Sequence, residues 1–200
     1  MCGRFTQTKS RQEVLEELST IELPPLFQRR YNIAPTQKVA VIRQDQPERA
    51  NEAVWGFKNP QTGGVVINAR CETLSERPMF RQLLEKNRCL IPADGFYEWK
   101  GRQPYYFQLR DRPLFAFAGL YDHNRCIIIT RAADKNMRGI HDRMPVICTK
   151  ERWAEWLGSF DLPDTPPVLE SRPVTRRVNS VAHDDPLCLL PGEEQTELDL

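Results

Sequence analysis

Short apolar runs separated by turn residues recur along most of this chain, and runs of this length are typical of strands. The predicted strands occupy residues 39–42, 53–57, 89–91, 96–99, 105–107, 114–118, 126–129 and 174–181. Gly101 lies between two of these runs and suits the tight turn of a hairpin. Many short strands and few helices predict a single α+β domain with a curved, barrel-like, mainly antiparallel sheet.

Three short helices are predicted beside these strands. Ser10 and Glu13 have the spacing of a capping box, and apolar residues recur behind them at helical spacing, which predicts a helix over residues 10–19. An apolar stripe of the same period predicts a second helix within residues 75–86, and a third is predicted over residues 151–157.

The remaining segments set the limits of the predicted domain. Residues 158–169 are rich in Pro and Asp, which is typical of a surface loop. Residues 193–200 are acidic and polar and predict a frayed tail, which leaves residues 1–192 as the domain. No apolar run approaches the roughly 18 residues of a membrane helix, and residues 1–5 do not begin a secretory signal. We therefore expect a cytoplasmic protein.

The charges are unevenly distributed along the 200 residues. The formal net charge of +1 argues at first against a nucleic-acid partner. Residues 161–200, however, contain nine acidic and three basic residues, so that residues 1–160 have a net charge of +7. Of the 28 basic residues 21 are Arg, whose planar fork suits phosphate or carboxylate. An ordinary Arg-rich surface explains this composition equally well.

The cysteines and histidines give no sign of a metal site. No two of the six Cys have C-x-x-C spacing, and the three His form no ligand pattern with them. Cys89, Cys126 and Cys148 lie inside apolar runs and are predicted to be buried, reduced thiols. We expect neither a metal nor an organic cofactor.

Cys2 follows the initiator methionine, and removal of Met1 would give it a free α-amine beside its thiol. The reference pKa values of these groups are about 7.7–8.0 and about 8.5, so both are partly reactive near neutral pH. Such a pair condenses with an aldehyde, first to a Schiff base and then to a five-membered thiazolidine. The alternative is that residue 2 is an arbitrary residue in a mobile terminus.

Three polar residues interrupt segments that otherwise belong in a core: Asn68, Glu98 and His141. Each has an ordinary explanation, because Asn68 could cap a turn, Glu98 could pair with an arginine and His141 could be a core histidine. An acid among aromatic residues also tends to have a raised pKa, which suits proton transfer. Together with Cys2 they form a plausible set of nucleophile, amide donor and two acid/base groups.

Eight motifs of the chain, in order, resemble the SRAP (SOS response-associated peptidase) family over roughly residues 1–191. They are Met-Cys-Gly-Arg-Phe at 1–5, Tyr-Asn-Ile-Ala-Pro at 31–35, Trp-Gly at 55–56, Asn-Ala-Arg at 68–70, the segment 88–99 ending Ala-Asp-Gly-Phe-Tyr-Glu-Trp, Ile-Ile-Ile-Thr at 127–130, His-Asp-Arg-Met-Pro at 141–145 and Pro-Val-Thr-Arg-Arg-Val-Asn at 173–179.

The resemblance implies a bacterial protein of the DNA damage (SOS) response that acts at the nucleoid as a monomer. Such a protein binds single-stranded DNA and forms a covalent crosslink at an abasic site. Cys2 would form the crosslink, Asn68 would orient the reacting groups, and Glu98 and His141 would move protons. The family name also implies a peptidase-like removal of Met1, and the same proton-transfer groups imply a lyase-like reversal.

The resemblance further implies that Arg4, Arg70 and Arg143 hold the phosphates that flank the lesion, with Thr130 as a minor polar contact. One departure concerns residues 57–64, which lack the Trp that family members carry after their Trp-Gly motif. Base stacking contributes about 1–3 kcal/mol per base, so we expect weaker binding to DNA.

Two other functions fit the same residues. The first is a thiol hydrolase that uses Cys2, His141 and Asn68. The second is a non-catalytic nucleic-acid-binding module that uses only the arginines.

Overall fold

The computed structural model describes residues 2–25, 27–59, 61–111, 113–159 and 162–192. The predicted tail, residues 193–200, lies outside them. Fifteen strands are present in this part of the chain. They are β1 Arg4–Gln7, β2 Arg30–Ile33, β3 Lys38–Arg43, β4 Gln46–Trp55, β5 Phe57–Lys58, β6 Val65–Val66, β7 Asn68–Arg70, β8 Arg88–Ala93, β9 Gly95–Lys100, β10 Gln103–Leu109, β11 Phe115–Asp122, β12 Arg125–Ala132, β13 Arg143–Pro145, β14 Ile147–Cys148 and β15 Leu169–Pro173.

Five strands close into a ring that forms the barrel-like centre of the domain. β4, β3, β8, β11 and β12 are hydrogen-bonded in that order, and β12 pairs back to β4. Most pairings are antiparallel, and β12 makes parallel pairs with β4 and β7. The predicted α+β domain with a curved, mainly antiparallel sheet is confirmed.

A second sheet packs against this ring and carries the start of the chain. Its order is β15-β10-β9-β1-β2. Phe5 of β1 lies edge-on to Trp55 and Phe117, with ring centroids 5.2 and 5.4 Å apart. These buried contacts fix β1, and with it the first residues of the chain, against the barrel interior.

The three helices are short and lie outside the sheets: α1 Arg11–Glu17, α2 Pro78–Lys86 and α3 Trp153–Ser159. The capping box is present, because the Ser10 side chain accepts from the Glu13 amide and Glu13 accepts from the Ser10 amide. Pro78 opens α2 at a position where no amide hydrogen is needed. Among the described residues, no helix is long and apolar enough to cross a membrane.

Two predicted strands differ from the structure. The run predicted as a strand over 174–181 is not one, because the strand β15 precedes it and residues Arg176–Asn179 form a 3-10 helix. The Thr175 side chain accepts from the Arg177 amide, which begins that helix. The predicted strand 53–57 is interrupted at Gly56, whose φ of 121° turns the chain from β4 into β5.

Two predictions about local features are confirmed. Gly101 has a φ of 60° and makes the turn between β9 and β10. Cys89, Cys126 and Cys148 are fully buried and free of disulfides.

Candidate active site

Cys2 lies two residues before the start of β1 and is fully buried, so it does not belong to a mobile terminus. The pairing of Arg4 with Tyr97 aligns β1 with β9, and this places Cys2 beside Glu98. Burial raises the pKa of the Cys2 thiol well above its ordinary value, and the charge of Glu98 raises it further. The thiol is therefore protonated at neutral pH.

Asn68 is brought to Cys2 by β7. This strand pairs in parallel with β12, with Asn68 opposite Ile128. The Asn68 Nδ2 donates a hydrogen bond to the Cys2 carbonyl oxygen at 2.9 Å. Its Oδ1 is buried and has no hydrogen-bond partner among the described residues, so it is available to accept from a further donor at the site.

Glu98 is an acid inside the aromatic strand β9 and is only 2% exposed. Burial raises its pKa to about 7; the positive charge of the amino terminus opposes this rise, and the nearby charge of Asp142 adds to it. At neutral pH both the carboxyl and the carboxylate form are populated. Glu98 can therefore give or take a proton in the range where an amine and an aldehyde condense.

His141 faces Glu98 from the loop before β13, with its Nε2 at 3.9 Å from Glu98 Oε2. Its Nδ1 accepts a hydrogen bond from the Arg143 amide at 3.0 Å. Asp142 Oδ1 is also 3.0 Å from Nδ1, but that side chain is 85% exposed, and the amide can only donate. Because Nδ1 accepts, the neutral ring carries its proton on Nε2. Burial lowers the pKa of His141, which favours this neutral form.

The predicted phosphate-binding arginines differ in what they contact. The Arg70 side chain is exposed, and no hydrogen bond or ion pair joins it to another described residue. Arg4 Nη1 instead donates to Asn32 Oδ1 at 2.8 Å and to the Val178 carbonyl oxygen at 2.6 Å. Arg4 therefore ties β1 to β2 and to the 3-10 helix Arg176–Asn179.

Arg143 and Thr130 also make internal contacts. Glu72 binds the Arg143 guanidinium through both of its oxygens, at 2.7 and 2.9 Å. Thr130 is fully buried and accepts from Arg143 Nη2 through its carbonyl oxygen at 2.8 Å. The Thr130 hydroxyl also donates to the Ala69 carbonyl oxygen at 3.3 Å, so Thr130 contacts both the β7 backbone and Arg143. No sequence pattern points to Glu72, because its partner is 71 residues away.

A cleft of about 570 Å³ opens on the Asn68 side of the site. Asn68 and Arg70 lie in its wall, together with Arg77, Met79 and Phe80 at the start of α2. Met79 is 44% exposed, so the cleft offers both positive charge and apolar surface. Within the described ranges, no three His, Cys, Asp or Glu side chains are arranged to hold a metal ion.

The amino-acid sequence of this chain is similar to those of known proteins. The sequence model of the family described as SOS response associated peptidase (SRAP) matches residues 1–181. The abasic site processing protein YoqW of Bacillus subtilis is 40% identical over 179 residues, covering 78% of this chain and 80% of YoqW. The abasic site processing protein YedK of Escherichia coli is 33% identical over 181 residues, covering 78% of this chain and 79% of YedK.

Solved structures with the same fold are also found. A protein from Bacteroides thetaiotaomicron superposes with a TM-score of 0.81 over 96% of this chain and 100% of that chain, at 20% identity. A protein from Bordetella bronchiseptica gives a TM-score of 0.72 over 87% of this chain and 100% of that chain, at 24% identity. These likenesses show that the fold is shared.

Proposed function

The chain belongs to the SOS response-associated peptidase family, and from this premise we propose that it captures abasic sites in single-stranded DNA through a covalent bond to Cys2. The names of its relatives as abasic site processing proteins support the substrate. The observation that carries the proposal is the convergence of Cys2 with Asn68, Glu98 and His141, residues up to 139 positions apart in sequence, within hydrogen-bonding or electrostatic reach of one another.

The reaction begins once removal of Met1 has exposed the Cys2 amine, a step that we assign to self-processing. The amine adds to the aldehyde of the ring-opened sugar, a C–N bond forms, and water leaves to give a Schiff base. This Schiff base is protonated on nitrogen. The thiol then adds across its C=N bond, the sulfur bonding to carbon while the thiol proton goes to the carboxylate that protonated the departing oxygen. The product is a thiazolidine, and the balance needs no oxidant, metal or cofactor.

Glu98 and His141 supply the proton transfers. The protonated Glu98 gives its proton to the departing oxygen, and the resulting carboxylate accepts a proton from the Cys2 thiol. His141 presents its Nε2 proton towards the same site. Asn68 orients the start of the chain through the Cys2 carbonyl oxygen, and its unpartnered Oδ1 accepts from the amine. Run backwards, the same groups support a lyase-like release.

Arg70 is the arginine that we assign to the DNA phosphates. It lines the cleft, its side chain is exposed, and its guanidinium has no competing partner among the described residues. Arg4 and Arg143 were expected to have this role as well. Both would first have to exchange their internal hydrogen bonds for phosphate oxygens.

The geometry favours covalent capture over the two other candidate functions. In a thiol hydrolase the histidine accepts the thiol proton, whereas the neutral ring of His141 carries a proton on Nε2, the nitrogen that faces Glu98. A module that only binds DNA through surface arginines has no use for a buried acid with a pKa near 7 beside a buried cysteine.

The decisive experiment incubates the processed protein with a single-stranded abasic oligonucleotide, heats the mixture in denaturant and separates it on a gel. We expect a retarded band with wild type and none with Cys2→Ala, whereas Cys71→Ala serves as a control that leaves it. Cys2→Ser keeps the amine but not the thiol, so its adduct should survive heating only after borohydride reduction. No band from wild type that intact mass shows to lack Met1 would refute the proposal.

A further inference from the structure

Glu72 and Arg143 form an ion pair at the edge of the site. The two oxygens of the Glu72 carboxylate accept from Nη1 and Nη2 of Arg143. This hydrogen bonding lowers the pKa of Glu72 to about 2, so the pair persists throughout the neutral range. Nη2 also donates to the Thr130 carbonyl oxygen, and the Arg143 side chain is only 15% exposed. The guanidinium is therefore held from two sides.

The same arginine holds His141 through its backbone. Its amide donates to His141 Nδ1, and that contact decides which ring nitrogen carries the proton. Asp142 competes for this position, because its Oδ1 lies 3.0 Å from Nδ1 and could accept from a protonated Nδ1. Among the described residues, Glu98 from β9, Asp142 from its own loop and Arg143 from β13 face His141, and the positive charge of the amino terminus also acts on it.

The ion pair also joins the two segments that carry the polar residues of the site. Glu72 lies two residues after β7, which carries Asn68, and Arg143 lies two residues after His141. Both β7 and β13 pair with β12, where Arg70 lies opposite Thr130 and Arg143 opposite Ala132. The side-chain bridge therefore joins the segment that follows β7 to the start of β13.

We propose that Glu72 is a positioning residue: by holding Arg143 it keeps the proton of neutral His141 on Nε2, the nitrogen that faces Glu98. The inference rests on the proposed function for its kinetic consequence but not for the tautomer itself. Without the bridge, the loop is free to let Nδ1 donate to Asp142. The ring would then turn a lone pair, instead of a proton, towards Glu98.

The tautomer can be read without any DNA. Nitrogen chemical shifts of ¹⁵N-histidine-labelled protein at pH 8, where the ring is neutral, distinguish a protonated Nε2 from a protonated Nδ1. We expect the Nε2–H form in wild type and a mixture in Glu72→Gln, which keeps the shape of the side chain and loses its charge. Glu76→Gln is the matched control, since Glu76 is an exposed acid four residues further on. An unaltered tautomer in Glu72→Gln would overturn the proposal.

Crosslinking kinetics test the consequence. General acid–base catalysis contributes about 10²–10⁴-fold, so a partly misplaced proton should slow Glu72→Gln by about 3- to 30-fold. Its affinity for intact single-stranded DNA should stay the same or increase, because Arg143 is released. A parallel fall in affinity and rate, or equal slowing by Glu76→Gln, would contradict a positioning role. Failure of wild type to crosslink would remove the proposed function and leave the tautomer result standing.

Discussion

The β1–β9 pair has a buried acid near each of its ends, and the two acids have different surroundings. Asp94, 4% exposed, precedes β9 and accepts from the Thr6 hydroxyl at 2.6 Å, from the Thr8 amide at 2.5 Å, from the Thr8 hydroxyl at 2.7 Å and from the Lys9 amide at 3.1 Å. Glu98, 2% exposed, lies beside Cys2, and there burial dominates and raises the pKa to about 7.

The difference shows how one strand pair can carry one acid that stabilises the fold, Asp94, and another that is suited to proton transfer, Glu98. Four donors compensate Asp94 for the loss of water, so its carboxylate holds the turn before β9 to the end of β1. The environment of Glu98 penalises the charged form, and a buried group of that kind is suited to exchanging protons with a substrate. Both acids occur within the same seven-residue motif, so their roles depend on their neighbours.

Glu98→Gln should have the largest effect on this comparison. The amide cannot transfer a proton at neutral pH, so the crosslinking rate should fall by about 10²–10⁴-fold. Single-turnover kinetics with an abasic oligonucleotide measure this, while circular dichroism should show that the fold is retained. A rate within threefold of wild type would mean that Glu98 is as structural as Asp94.

Asp94→Ala should give the opposite result. Removal of the carboxylate leaves four buried or half-buried donors without an acceptor, which should lower the free energy of unfolding by about 3–5 kcal/mol. Urea denaturation measures this loss. The crosslinking rate per folded molecule should remain within threefold of wild type. A much larger loss of rate would show that Asp94 also takes part in the chemistry, as Glu98 does.

The pH dependence of stability should single out Glu98. Its folded pKa of about 7 is above the ordinary value of 4.5, so the native state binds the proton more tightly than the unfolded state. The stability from this group is present below pH 4.5 and is lost as pH rises through 7, a loss on the order of 3 kcal/mol. The free energy of unfolding of Glu98→Gln relative to that of wild type should therefore rise as pH increases from 5 to 8.

Urea midpoints of both proteins at the two pH values measure this gain. The lowered pKa of His141 has the opposite sign, since its stabilising effect is lost as pH falls. Because His141 Nε2 lies 3.9 Å from Glu98, the same pair of proteins compared in a His141→Asn background removes this contribution. A difference between the proteins that stays constant from pH 5 to pH 8 would show that Glu98 does not titrate in this range.

Arg70→Ala should have the smallest effect, and this effect should be confined to DNA binding near Cys2. The loss of one phosphate contact should weaken binding to single-stranded DNA several-fold and reduce the slope of log K against log salt by about 0.7. Arg102→Ala is the matched control, because Arg102 lies exposed in the hairpin turn between β9 and β10. Equal effects of the two substitutions would show that Arg70 acts only through general charge.

The sequence by itself predicted features that depend on neighbouring residues. The capping box of Ser10 and Glu13 and the turn at Gly101 are set by contacts within three or four residues, so their patterns are visible in the chain. Asn68, Glu98 and His141 were found in a similar way, as polar interruptions of apolar runs, and Cys2 was found by its place after the initiator methionine. Their resemblance to family motifs supplied the expected roles.

Only the tertiary structure decided which charges are available to a ligand. The pairing of Glu72 with Arg143 joins residues 71 positions apart, and the burial of Thr130 follows from the parallel pairing of β7 with β12. The strand expected over 174–181 proved to be a 3-10 helix, because the cap at Thr175 prevailed over the apolar pattern. Such outcomes depend on which strands meet across the sheet, and hydrogen bonding between distant segments leaves no periodic trace in the sequence.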